Sequence, residues 1–129
     1  MTEIRWGILA TGGIAHAFTQ DLRTAGRTVT AVGSRNADSA RAFAAEYDIP
    51  HAHGSYEELV ADPDVDIVYI ASPHSHHRDH AILALEAGKH VLIEKAVTLD
   101  ADEAIAIRDI ATHYDRATAR WVAKSLQYP

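Results

Sequence analysis

The stretch "ASPHSHHRDH", residues 71–80, sets His74, His76, His77 and His80 within seven positions of one another, directly after an apolar run. Imidazoles at this density are able to hold zinc or copper, and the four-residue spacing of His76 and His80 puts that pair on one helical face. With Ser75 as the N-cap of the helix that follows, His77 falls on a different face, and a metal would need at least one more aligned ligand. The expectation is therefore no metal. His76 and His80 read as helix-surface histidines, and His74 and His77 as residues beside a ligand mouth.

A second group with chemical content is "ATGGIA", residues 10–15, which stands where the dinucleotide fingerprint G-x-G-x-x-G/A would stand, with Ala10 in place of the first glycine. Gly12 lets the backbone approach a pyrophosphate, and Ala15 is small enough for a helix to pack on a strand. The helix N-terminus supplies N–H groups and a positive dipole end. Some 22 and 23 residues beyond Gly12, "GSRN" places Ser34 and Arg35 where an NAD-preferring fold carries an acid. A hydroxyl and a guanidinium suit a 2′-phosphate instead, so NADP is expected in preference to NAD. Further on, "VLIEKAVTLD" puts Glu94 and Lys95 at the end of an apolar run.

These groups need elements to hold them, and the chain alternates short apolar runs with helical periods. Strands are expected over residues 4–10, 28–33, 51–53 (the weakest), 66–71 and from "HVLIEK". Between them come helices over about 13–25, striped by Ile14, Ala15, Phe18 and Leu22, and after an Asn36 cap, striped by Ala40, Phe43, Ala44 and Tyr47. A brief helix opens on a Ser55–Glu58 capping box, another runs over about 75–87 to Gly88, and one more opens on Asp100 and Glu103. Such alternation gives the α/β class: a doubly wound parallel sheet with helices on both faces. Ligands of such sheets sit beyond the carboxyl ends of the strands, here after residues 10, 33, 71 and 93.

Composition agrees with one ordinary globular domain: 129 residues, 47% hydrophobic and 23% charged, without repeats. The net charge of −6 is spread among both signs, which argues against nucleic-acid binding. The absence of cysteine removes disulfides, thiolate metal sites and cysteine nucleophiles. No window approaches 18 consecutive apolar residues and the start lacks a leader pattern, so a cytoplasmic protein without a membrane partner is expected.

With "ATGGIA", "GSRN", "YIASPHSHH" and "VLIEKAV" in this order, the chain resembles the glucose-fructose oxidoreductase, inositol dehydrogenase and MocA family over about residues 4–115. Ala96, in an E-K-A variant, points to its dihydrodiol dehydrogenase and xylose dehydrogenase branch. The resemblance implies a Rossmann-type cofactor domain and hydride transfer between nicotinamide and a sugar, polyol or dihydrodiol. It implies a cofactor contact set of Ala10, Thr11, Gly12, Gly13, Ile14, Ser34, Arg35, Ala71, Ser72, Pro73, His74, His77, Glu94 and Lys95. Within that set Lys95 is implied to contact the substrate oxygen and act in catalysis. The family's second, substrate-binding domain is expected to be missing: a cofactor domain over 1–115 is followed by a divergent tail over 116–129, "RATARWVAKSLQYP". The oligomeric state, including a homo-oligomer, is left open. A noncatalytic nucleotide-binding module is the alternative function.

Overall fold

A computed structural model of the chain describes residues 4–93. The expected helix after Asp100, the tail over 116–129, and the residues Glu94, Lys95 and Ala96 lie outside the described residues. Strand β1 runs Arg5–Leu9, β2 Thr28–Gly33, β3 His51–His53, β4 Ile67–Ile70 and β5 His90–Ile93. Helices α1 (Gly13–Thr24), α2 (Ala37–Tyr47), α3 (Tyr56–Val60) and α4 (His77–Glu86) connect them in turn.

All pairings are parallel, and the strand order is β3-β2-β1-β4-β5. The chain therefore starts in the middle, builds outward through β2 and β3, then crosses back over β1 to lay down β4 and β5. The order reverses between β1 and β4, the switch point beyond whose carboxyl ends ligands of such sheets bind. This is the doubly wound arrangement expected from the alternation of elements.

Side-chain alternation along each strand divides the core in two. Ile8, Val32 and Tyr69 face α1 and α2, where Ala15, Leu22, Phe43, Ala44 and Tyr47 meet them. Leu9, Ala31, Val68, Ile70 and Val91 face α3 and α4, where Leu59, Val60, Ala81, Ala84 and Leu85 close the second layer. Both faces of the central strands are thus apolar, as a sheet covered on two sides requires.

The helix ends follow from local chemistry. Asn36 accepts N–H bonds from Asp38 (2.8 Å) and Ser39 (3.1 Å), and so caps α2 as its residue type predicts. The Ser55 hydroxyl caps α3 by accepting the Glu58 N–H at 3.1 Å. Gly26 (φ 74°) and Gly88 (φ 86°) end α1 and α4 in the left-handed region. Two details differ from expectation. Ile14 is 53% exposed rather than part of the α1 stripe, because the first turn of α1 projects past the strand ends, while Thr19 joins the buried face instead. Ser75 does not cap a helix: His74–His76 form a 3-10 turn, and α4 starts at His77, with His76 as its N-cap and no side-chain bond. Among the described residues no helix is long and apolar enough to cross a membrane.

Candidate cofactor site

Three loops meet at the carboxyl edge of the sheet. Leu9 is level with Gly33 on one side and with Ile70 on the other. The loops beyond are tied by main chain: the Ala10 N–H donates to the Gly33 carbonyl at 2.9 Å, and the Ala71 N–H to the Leu9 carbonyl at 3.0 Å. Ala10–Ile14, Ser34–Arg35 and Ala71–Pro73 are thereby neighbours, although each segment is far from the next in sequence.

In the first loop, Ala10 has φ 92°, a conformation that suits glycine and that the fingerprint supplies with its first glycine. Gly12 and Gly13 are exposed, and a Cβ built on either meets no atom within 4 Å. The backbone there faces open space that a ligand can approach. The first helical bond of α1 runs from the His16 N–H to the Gly12 carbonyl at 3.1 Å, and no side chain caps the helix. The amides of Gly13, Ile14 and Ala15 therefore precede the helical ladder, and the dipole adds positive potential where they point. An anionic pyrophosphate fits this arrangement. Ile14 beside it is exposed and not part of the core.

In the second loop, Ser34 is buried; its N–H donates to the His53 carbonyl at 3.1 Å and its Oγ accepts the Asn36 N–H at 3.2 Å. Its hydroxyl shapes the loop, and the exposed Arg35 carries the charge. No carboxylate stands within "GSRN" to repel a phosphate.

The third loop is the most tightly built. Ser72 is buried; its carbonyl accepts from His77 Nε2, and its Oγ lies 2.7 Å from His80 Nδ1. His77, at 2% exposed, is a strut beneath the loop, which corrects its expected place on the mouth. The cause is the 3-10 turn, which rotates the start of α4 and turns His77 inward. His80 is not a plain surface histidine either: it packs edge-on to Tyr56 (4.7 Å) and is stacked with His76 (5.6 Å). Burial, then the nearby His76, lowers its pKa, and Asp79 opposes this in part. His74 contributes backbone to the 3-10 turn, and Pro73 is exposed, its carbonyl accepting the His76 N–H at 2.9 Å.

The fourth segment follows β5, whose last residue Ile93 pairs with Ile70. Its expected residues Glu94 and Lys95 lie outside the described residues. Sequence reasoning missed a separate cluster, His51, His53 and Asp62, in which both imidazoles meet one buried carboxylate. The H-x-H spacing on a strand was its one visible signal.

Comparison with known proteins agrees with this geometry. Residues 4–119 match the model of an oxidoreductase family with an NAD-binding Rossmann fold. The chain is 47% identical to a D-xylose 1-dehydrogenase (NADP(+)) of Hypocrea jecorina, over 78% of this chain and 29% of that protein. It is 46% identical to a trans-1,2-dihydrobenzene-1,2-diol dehydrogenase of Bos taurus, over 78% of this chain and 31% of the relative. Among solved structures, a 3-ketoreductase from Actinomadura kijaniata in complex with NADP superposes with a TM-score of 0.82 at 32% identity, over 89% of this chain and 37% of that one. The chain thus spans about a third of the length of the proteins it matches. Fold, loop geometry and family model together place it in the glucose-fructose oxidoreductase, inositol dehydrogenase and MocA family of oxidoreductases, as an NAD(P)-binding Rossmann domain.

Proposed function

We propose that this domain binds NADP(H), in preference to NAD(H), and that it serves hydride transfer to or from a carbinol carbon of a sugar, polyol or dihydrodiol. The observation that carries the cofactor preference is Arg35, exposed at the carboxyl end of β2 in a loop without an acid. A guanidinium there grips a 2′-phosphate through paired hydrogen bonds, where an acid would hold a ribose diol. The NADP named for the fungal xylose dehydrogenase and the bound NADP of the ketoreductase support the same reading.

When bound, the nicotinamide supplies the hydride chemistry, and the chain's own residues bind and orient it. Gly12, Gly13 and the α1 amides would hold the pyrophosphate, with Ala10 and Thr11 shaping that turn and Ile14 beside it. Ser34 would fix the loop from which Arg35 reaches the adenosine phosphate. Ala71, Ser72 and Pro73 would wall the nicotinamide ribose, backed by His77 and flanked by His74. Lys95, next to Glu94, would donate to the substrate oxygen and stabilise its developing charge. In this proposal residues 1–115 are the cofactor domain and 116–129 a divergent tail.

A second level of reading is that these residues by themselves bind nucleotide without turnover. Joining residues 1–115 to the substrate domain of the xylose dehydrogenase relative and assaying NADP reduction with pentoses separates the two. Turnover lost on Lys95→Met with NADPH affinity retained supports the catalytic role. Full turnover in that variant refutes it.

A further inference from the structure

At the outer edge of the sheet, His51 and His53 stand two residues apart on β3 and so share a face, with the His53 carbonyl holding the amide of Ser34. Asp62, in the turn after α3, is 6% exposed. Its Oδ2 lies 2.7 Å from His51 Nδ1 and 2.9 Å from His53 Nε2, and one ligand atom from each residue falls within 4.8 Å of the other two. The turn is held firmly: Asp62 Oδ1 accepts the Asp64 N–H at 2.9 Å, and Lys89 Nζ donates to the carbonyls of Asp62 and Val65 at 2.7 Å each. We propose that His51, His53 and Asp62 form a site for a divalent ion of the zinc class, which staples edge strand β3 to the turn after α3.

The donor set is what such an ion takes: two imidazole nitrogens and one carboxylate oxygen, with an open position for water. With each ring's proton on the nitrogen turned away from Asp62, both facing atoms offer lone pairs to the ion. Ligand atoms around a tetrahedral zinc stand about 3.3 Å apart, so the two nitrogen–oxygen distances need to open by roughly half an ångström and the two nitrogens to settle at that same spacing. The side chains have that room, since those of His51 and His53 are 37% and 21% exposed while Asp62 forms the buried floor. Glu58 and Asp64 line the same shallow depression and add negative charge.

Among the described residues this is the grouping of three donors that closes; the stacked His76 and His80 do not find a third. The ion would secure a strand of three residues whose last carbonyl, that of His53, holds the Ser34 amide. The inference stands independently of the cofactor reading.

The test is calorimetric titration of the chelator-stripped 129-residue chain with Zn²⁺ at pH 7.5, beside thermal unfolding with and without Zn²⁺. One ion per chain and a Tm raised by roughly 5 °C at saturation are expected. His51→Asn and His53→Asn should each weaken binding by about tenfold or more, while the double variant His76→Ala/His80→Ala keeps it. X-ray absorption of the zinc-loaded wild type, which needs no variant to fold, should count two imidazoles. Absence of Zn²⁺ binding, binding that survives His51→Asn and His53→Asn, or a shell with a different imidazole count would each overturn the proposal.

Discussion

The backbone N–H of Ala10 donates to the carbonyl of Gly33 at 2.9 Å, and this bond joins the turn before α1 to the loop that carries Arg35. To make it, Ala10 adopts φ 92°, a conformation an L side chain resists. Ala10→Gly should therefore stabilise the domain by about 0.5–1 kcal/mol, the relief of strain exceeding the added entropy of the unfolded chain. Urea unfolding measures it; a lower midpoint in the glycine variant would contradict the strain argument.

Gly33 itself has no room for a side chain. An added Cβ would lie 2.8 Å from Leu59 Cβ and 3.1 Å from its Cδ2, inside the layer that α3 packs on the sheet. Gly33→Ala is expected to cost about 1–3 kcal/mol, seen as a lower denaturation midpoint.

Gly12 is the opposite case, since a Cβ there meets nothing within 4 Å. Gly12→Ala should cost the fold no more than about 1 kcal/mol, the difference between the two residues as an N-cap. Its effect should fall on the ligand: the methyl group occupies space needed by the pyrophosphate, and NADPH affinity drops by about tenfold or more. Equal affinity in the variant, measured by fluorescence titration, would place the pyrophosphate elsewhere.

His80 gives a pH dependence of definite sign. Its folded pKa is lowered from 6.5, chiefly by burial and by His76, so the unfolded chain takes up this proton first as pH falls. The contribution is fully present above pH 6.5 and declines below it, levelling off once the folded ring also protonates. Stability curves of the wild type and His80→Gln should converge as pH drops from 7.5 toward 5. Parallel curves would show that His80 does not carry this dependence.

Much of this arrangement was legible in the sequence where one period dominated. The β2 span of residues 28–33 and the α2 stripe of Ala40, Phe43, Ala44 and Tyr47 follow the core directly, because burial alone decides which faces repeat. Ile14 broke the pattern since helical periodicity does not reveal where a helix overhangs its sheet. His77 and His80 broke it because a 3-10 turn, invisible to the spacing, rotates the start of α4. The meeting of His51, His53 and Asp62 depends on how an edge strand lies against a distant turn, and no local pattern encodes that. The cofactor loops were legible for a different reason: the topology obliges the carboxyl ends of neighbouring strands to converge.

The central claim is that this domain takes NADP(H) through Arg35. Its most direct test is fluorescence titration of the chain with NADPH and with NADH, repeated with Arg35→Ala. Tighter binding of NADPH is expected, by about tenfold or more for a paired guanidinium–phosphate contact, with the preference lost in the variant. Equal affinity for both nucleotides in the wild type, or a preference that persists in Arg35→Ala, would contradict the account.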